Sequence, residues 1–290
     1  MYEIRVYPSA RSFLVEAEAW LLSREDRHNL MLSLAYAHAS VQDTRTSTHG
    51  TDPEDPFYAT VEQDGRLVGC VMRTPPHKVL ITDLPVVAAP VVVAALGEAF
   101  DRIPAVLGPA DAAQAVAAEW AARHGGGWHL GMEQRMYRLD EVTAVTGVEG
   151  RIRVAVPADF ALAVRWGEAF TLDAGLRFET DREMVARWIE REALHVWEVD
   201  DSPVSMAVAQ GRTPHGIRIG YVYTPPEHRR HGYAGALVAA LSRKLLEEGV
   251  RFCVLYTDLS NATSNAIYQR VGYEPVEDVR DVDLVTEEET

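Results

Sequence analysis

Pro225-Pro226-Glu227-His228-Arg229-Arg230-His231-Gly232-Tyr233-Ala234-Gly235 is a run whose residue types and spacing can hold an anion. The apolar, β-branched and aromatic stretch before it, Ile219 to Thr224, predicts a strand. Pro225 and Pro226 end that strand, because neither can donate a ladder hydrogen bond. After Gly235 the sequence Ala-Leu-Val-Ala-Ala-Leu-Ser-Arg-Lys-Leu-Leu predicts a helix, with apolar residues three and four apart. The first N–H groups of such a helix have no internal partner, and its dipole favours negative charge there. Gly232, Ala234 and Gly235 are small enough for a phosphate to reach the backbone, and Arg229, Arg230 and His231 add donors around it. Two other phosphate loops are excluded. A P-loop needs a glycine, four residues and then Gly-Lys-Ser/Thr, and no such run occurs. A dinucleotide fingerprint needs three glycines at fixed offsets, and this turn has only Gly232 and Gly235.

A second constellation follows: Asn261-Ala-Thr-Ser-Asn-Ala-Ile-Tyr268-Gln-Arg-Val-Gly272-Tyr273. Arg229-Arg-His-Gly232-Tyr-Ala234 is similar to the Arg/Gln-x-x-Gly-x-Gly/Ala loop of the GNAT superfamily of N-acetyltransferases. The Asn261 run resembles that family's Asn-x-x-Ala-x-x-Leu-Tyr-x-x-x-Gly-Phe, and the two stand in the family's order. Arg230 occupies a position that is often glycine, Ala234 replaces the last glycine, and Ser264 replaces alanine. The resemblance covers about residues 150–285 by motif and the first half by element order only.

The resemblance implies acetyl-CoA as co-substrate. It implies that backbone groups of Val222, Tyr223 and Thr224 pair with the pantetheine arm. The N–H groups of Arg229, Arg230, His231, Gly232, Tyr233, Ala234 and Gly235 would hold the pyrophosphate. Asn261 would contact the cofactor near the thioester arm, and Tyr268 would protonate or hydrogen-bond the departing sulfur. A phenol has a reference pKa of ~10 against ~8.5 for a thiol, so Tyr268 would be a weak proton donor acting mainly by hydrogen bonding. The implied reaction is direct acyl transfer, in which a neutral primary amine attacks the thioester and a base removes its extra proton. Glu198 and Asp258 are candidate bases, and His195 and His215 are weaker ones. His228 and His231 are spaced like metal ligands, but no cysteine or carboxylate joins them, and no metal is expected.

The elements that would position these residues fall into two halves. Val148-Glu149-Gly150 is the expected boundary, giving a domain over 1–146 and a catalytic one over 150–290. In the second half Arg151–Val156 predicts a strand and Pro157–Phe170 a helix. A second helix runs from Thr180 to about Glu192, with Thr180 as cap and Glu183 completing a capping box. Leu194–Val199 and Val204–Ala209 flank a turn as a hairpin, Phe252–Tyr256 is a buried strand, and 261–270 is a short helix. The first half predicts a strand at Tyr2–Tyr7, one helical stretch over about 11–39, and a Thr/Asp/Pro loop over Thr44–Pro56. A hairpin turns at Asp64-Gly65, a strand lies at Val79–Thr82, helices at about 87–101 and 110–123, and closing strands over 127–139.

That order also matches a GNAT domain, but after Thr82 the chain reads Asp83-Leu-Pro-Val-Val-Ala-Ala-Pro90, with neither arginine nor glycine. The first half is therefore expected to be a degenerate copy without the pyrophosphate loop. The fold expected is α+β: two tandem GNAT-like domains, each a mixed sheet flanked by helices. Acceptor chemistry is open between a small-molecule amine and a peptide amine. The alternatives are a mycothiol-synthase-like tandem acetyltransferase and a non-catalytic acyl-CoA sensor. The first domain would shape the acceptor groove or make an oligomer contact such as a homodimer.

Composition narrows the class. The 290 residues carry 43 acidic and 28 basic side chains, a net charge of −15, which argues against non-specific nucleic-acid binding. Cys70 and Cys253 lie far apart in apolar runs and read as thiols of a reduced, cytoplasmic protein. The longest apolar run, Leu84–Leu96, contains Pro85 and Pro90 and is short of the ~20 residues that span a bilayer, so no membrane is expected. The start of the sequence lacks the layout of a signal peptide.

Overall fold

A computed structural model describes residues 1–41, 55–175 and 180–285. Most of the expected Thr44–Pro56 loop and the tail from Thr286 lie outside them. Two compact units result. Unit 1 is Met1–Met136 with Asp258–Ser260 and Val276–Thr290, and unit 2 is Tyr137–Thr257 with Asn261–Pro275. The division departs from the linear one expected at 146–150, because the stretch from Val276 on lies in unit 1.

Unit 1 contains β1 (Tyr2–Tyr7), α1 (Ala10–Leu22), α2 (Asn29–Val41), β2 (Phe57–Gln63), β3 (Arg66–Arg73) and β4 (Val79–Ile81). It continues with α3 (Ala89–Ala99), β5 (Ala105–Pro109), α4 (Ala110–His124), β6 (Gly127–Leu139, which enters unit 2 at Tyr137) and β12 (Glu274–Val285, in unit 1 from Val276). The strand order is β1-β2-β3-β4-β5-β12-β6, with β4–β5 parallel and β5–β12 antiparallel. Strand alternation builds two cores. Phe57, Ala59 and Val61 of β2 face the α3–α4 side with Val282 of β12, whereas Tyr58 faces α1 and α2 with Cys70 and Met72. Asp64 and Gly65 both take positive φ, 51° and 76°, as the expected tight hairpin requires.

The single helix expected over 11–39 is two. The charged run Arg24-Glu25-Asp26-Arg27 interrupts the apolar period, and the turn is closed by hydrogen bonds rather than by glycine or proline. Ser23 caps α1 on the Trp20 and Leu21 carbonyls, and the buried His28 ring bonds the Leu21 carbonyl at 2.8 Å.

Unit 2 contains β7 (Arg151–Val154), α5 (Phe160–Asp173), α6 (Arg182–Glu190), β8 (Leu194–Val199), β9 (Ser202–Gln210) and β10 (Gly216–Tyr223). Then come α7 (Tyr233–Glu247), β11 (Phe252–Asp258) and α8 (Ala262–Val271). The order is β7-β8-β9-β10-β11, antiparallel except for β10–β11, with the end of β6 beyond β11. Its two cores also take alternate residues: Leu194, Val196, Met206 and Val208 face α5 and α6, while Ala207, Ala209, Cys253 and Leu255 face α7 and α8. The cap of α6 is Asp181, whose carboxylate accepts from the Glu183 N–H at 2.9 Å, and not Thr180. Thr180 is instead buried against Gly167 of α5, where its packing outweighs the cap.

Candidate active site at the strand-to-helix junction

β10 changes character halfway along. Up to Gly220 it pairs with β9 in register, Ile219 with Ala209 and Gly220 with Val208. The next aligned pair is Tyr223 with Met206, so two residues of β10 oppose one of β9, which is a β-bulge. Tyr221 sits in it at φ 50°, a left-handed conformation that costs a bulky residue about 1–2 kcal/mol. The bulge swaps faces. Ile217 and Ile219 point to the α7 core, yet Tyr221 and Tyr223, at the same parity, point to the α5–α6 core. On the other edge β10 pairs with β11 only from Gly216–Phe252 to Arg218–Val254, although the strands run on to Tyr223 and Asp258. The parallel pair thus opens, and among the described residues the backbone of Val222, Tyr223 and Thr224 has no strand partner on the β11 side. On the β9 side the Tyr223 carbonyl accepts from Ser205 Oγ at 3.0 Å, and Ser205 and Thr224 share a hydroxyl contact of 2.8 Å.

The turn beyond is exposed from Arg229 to Gly232. A short 3-10 turn at Pro226–His228 leads to Arg230 at φ 68° and Gly232 at φ 84°. Gly232 is the N-cap of α7, and among the described residues no side chain caps that helix. The N–H groups of its first turn are therefore left for an outside acceptor. A side chain on Gly232 would be strained, and its Cβ would stand 3.1 Å from Val148. Gly235 lies toward Ile267 of α8, where a Cβ would be at an ordinary 3.5 Å.

The basic side chains divide their work. Arg229 Nε donates to the Thr224 carbonyl at 2.9 Å and its Nη2 to Asp173 at 2.6 Å, so this arginine braces the end of β10 against α5. Arg230 is exposed. His231 stacks on Tyr233 with centroids 5.3 Å apart.

Asn261 is the N-cap of α8, its Oδ1 accepting from the Ser264 N–H at 3.0 Å. Tyr268, one turn before the end of α8, is buried, edge-on to Tyr273 at 6.1 Å. Burial pushes its phenol well above the ordinary tyrosine range, so it keeps its proton and is able to donate it in a hydrogen bond. Among the described residues its hydroxyl has no hydrogen-bond partner.

The candidate bases fare differently. Glu198 accepts from Arg151 at 2.6 Å and from Arg153 Nε, and Arg153 also pairs with Asp159 at 2.6 Å. Hydrogen bonds from Arg153 and then Arg151 hold the Glu198 carboxyl below its usual range, so it clamps β7 to β8 and makes a poor proton acceptor. His195 is buried and held neutral by desolvation, its Nδ1 on the Ala193 carbonyl at 3.2 Å. Asp258 accepts from the Ser260 N–H at 2.7 Å. Among the described residues no group of acidic, His or Cys side chains could hold a metal. Sequence reasoning missed Asp173, Ser205 and Tyr221. Nothing local marks them, since each acts through a partner far along the chain or through the bulge.

In unit 1 the corresponding junction, between β4 and α3, is built differently. β4 has three residues and pairs in parallel with β5 up to Leu80–Leu107. Gly108 then lies against Ile81, a Cβ there falling 2.6 Å from the Ile81 carbonyl oxygen, so the strands remain in contact. Leu84 covers Gly69, and Asp83 is taken by Arg24 at 2.7 Å and Arg27 at 3.5 Å.

The parallel pair opens beside an uncapped helix, and comparisons with known proteins bear on this frame. Residues 164–273 match the model of the acetyltransferase (GNAT) family. Among solved structures, a Drosophila protein aligns over 97% of this chain and 98% of its own at 13% identity, TM-score 0.67. A GCN5-related N-acetyltransferase from Sphaerobacter thermophilus aligns over 100% and 98% at 16% identity, TM-score 0.58. A tandem GNAT protein from the clavulanic acid biosynthesis pathway aligns over 98% of both chains at 16% identity, TM-score 0.50. These likenesses show the fold: two tandem GNAT-like units, each a mixed sheet with helices on both faces. No curated protein matches the chain.

Proposed function

We propose that unit 2 transfers an acetyl group from acetyl-CoA to a primary amine. The observation that carries this reading is the N-terminus of α7, uncapped and fixed by Gly232 at φ 84° beside strands that have parted. The N–H groups from Arg229 to Gly235 take the pyrophosphate, and the free β11-side edge of Val222, Tyr223 and Thr224 pairs with the pantetheine amides. Asn261 lies at the arm and Tyr268 at the sulfur. The amine nitrogen attacks the thioester carbon, the C–S bond breaks, and the Tyr268 hydroxyl stabilises the departing sulfur by donating to it. The surplus amine proton passes to solvent water and not to Glu198, whose carboxyl two arginines hold below its usual range and so make a weak base.

The first unit has no second cofactor site in this reading. The acceptor is a small-molecule or peptide amine, and neither nucleic acid nor membrane enters. No helix among the described residues is long and apolar enough to cross a bilayer. Buried Cys70 and Cys253, with burial pushing both thiols up, fit the cytoplasm. The test is calorimetry with acetyl-CoA, followed by free-thiol release with a panel of primary amines. Binding followed by thiol release with at least one amine supports the enzyme; binding with no release from any of them would leave an acyl-CoA sensor instead.

A further inference from the structure

Tyr137, at the end of β6, is fully buried in the α7–α8 core of unit 2 and lies outside the residues that match the family. Its hydroxyl is fully committed. It donates to Asn265 Oδ1 at 2.8 Å and accepts from Gln269 Nε2 at 3.2 Å, two side chains one turn apart on α8. With Oδ1 turned to Tyr137, the Asn265 NH2 faces back along the helix and donates to the Asn261 carbonyl at 2.8 Å. That carbonyl already accepts the Asn265 backbone N–H at 3.1 Å, so two donors fix the plane of the Asn261 peptide. Asn261 needs such a hold. Its ψ of 77° is far from the extended value of an ordinary N-cap such as Ser9 at ψ 157°.

We propose that Tyr137 is a positioning residue for the acyl-transfer site. Through Asn265 it fixes the Asn261 peptide, and through Gln269 it sets the rotation of α8 that aims Tyr268. This inference rests on the acyl-CoA reading of unit 2. The Tyr137 phenol touches no cofactor itself; it acts on the end of the site that meets the thioester arm and leaves the pyrophosphate turn alone.

The test uses the full chain and two probes, acetyl-CoA and its nucleotide half, 3′-phospho-ADP, measured by calorimetry where circular dichroism shows each variant folded. Tyr137→Phe deletes one hydroxyl, and we expect acetyl-CoA to bind about tenfold more weakly, the worth of one hydrogen bond. Affinity for 3′-phospho-ADP should stay within about twofold of wild type. Should Tyr137→Phe not fold, Asn265→Asp replaces it, keeping the acceptor for Tyr137 and losing the donor to Asn261; the same split is expected. Equal losses for both probes would show a purely structural tyrosine, and no loss for either would remove it from the site. A wild-type chain that binds neither probe would sink the acyl-CoA reading, and this one with it.

Discussion

The junctions after β4 and after β10 occupy the same place in their units, and they differ in every feature that an anion needs. After β10 the strand bulges, parts from β11 and hands over to a helix whose first N–H groups are uncapped. After β4 there is no bulge in the pairing with β3, Gly108 keeps β5 against Ile81, and Asp83 is locked to two arginines. The order of elements alone therefore does not make a site. What sets this junction apart is local backbone geometry, with positive φ at Tyr221, Arg230 and Gly232, which the β4 junction lacks. The helix beyond β5, α4, also lacks any tyrosine where α8 supplies Tyr268.

The largest effect at stake is a whole site. Titration with acetyl-CoA should saturate at one equivalent per chain, and saturation at two would erase the contrast between the junctions. Next, Tyr268→Phe should lower turnover by up to ~10²–10⁴ while leaving the melting temperature unchanged, because the lost hydroxyl bonds no described residue. A wild-type rate in that variant would remove Tyr268 from the contrast and leave it resting on the backbone of the two junctions.

Gly232→Asp sharpens the electrostatic part. A carboxylate there should cost ~1–4 kcal/mol of acetyl-CoA affinity at contact, beyond the ~1–2 kcal/mol of backbone strain shared by Gly232→Asn. If the two variants bind equally, charge at the turn is irrelevant.

The smallest effect concerns the closed junction. Burial, then the Asp83 charge, pushes the Glu277 carboxyl up to about 7 from an ordinary 4.5. Because the folded value is the higher one, its contribution to stability is complete below pH 4.5 and is lost as pH rises through about 7. Glu277→Gln should remove that loss, gaining roughly 1 kcal/mol on wild type between acid and pH 8 in urea unfolding. Parallel curves for the two proteins would mean that Glu277 is not buried as described.

Much of this was legible in residue order. The Asp64-Gly65 hairpin, the strand ended by Pro225 and the helix that follows Gly232 are set by neighbours in sequence, and they lie where local chemistry predicts. Other features carry no such mark. The 23–28 break has no glycine or proline to announce it, because Ser23 and His28 close it by hydrogen bonds to the Trp20 and Leu21 carbonyls. The bulge at Tyr221 reads as an ordinary alternating strand. Glu198 looks like a free carboxylate on a hairpin until β7 brings Arg151 and Arg153 beside it. Asp173 and Asn265 are unremarkable until the fold sets them against Arg229 and Tyr137.

One feature of unit 1 bears on how the protein is made. β12 lies between β5 and β6 and buries Val282 in the first core, yet it is synthesised after all of unit 2. Without β12 the N-terminal sheet has a gap between β5 and β6, and the backbone N–H and C=O groups on those two facing edges have no ladder partner. Unit 2 has all its residues once Pro275 has been added, whereas unit 1 still lacks the stretch from Val276. A chain cut off before Val276 would therefore damage the earlier half of the sequence and spare the later one.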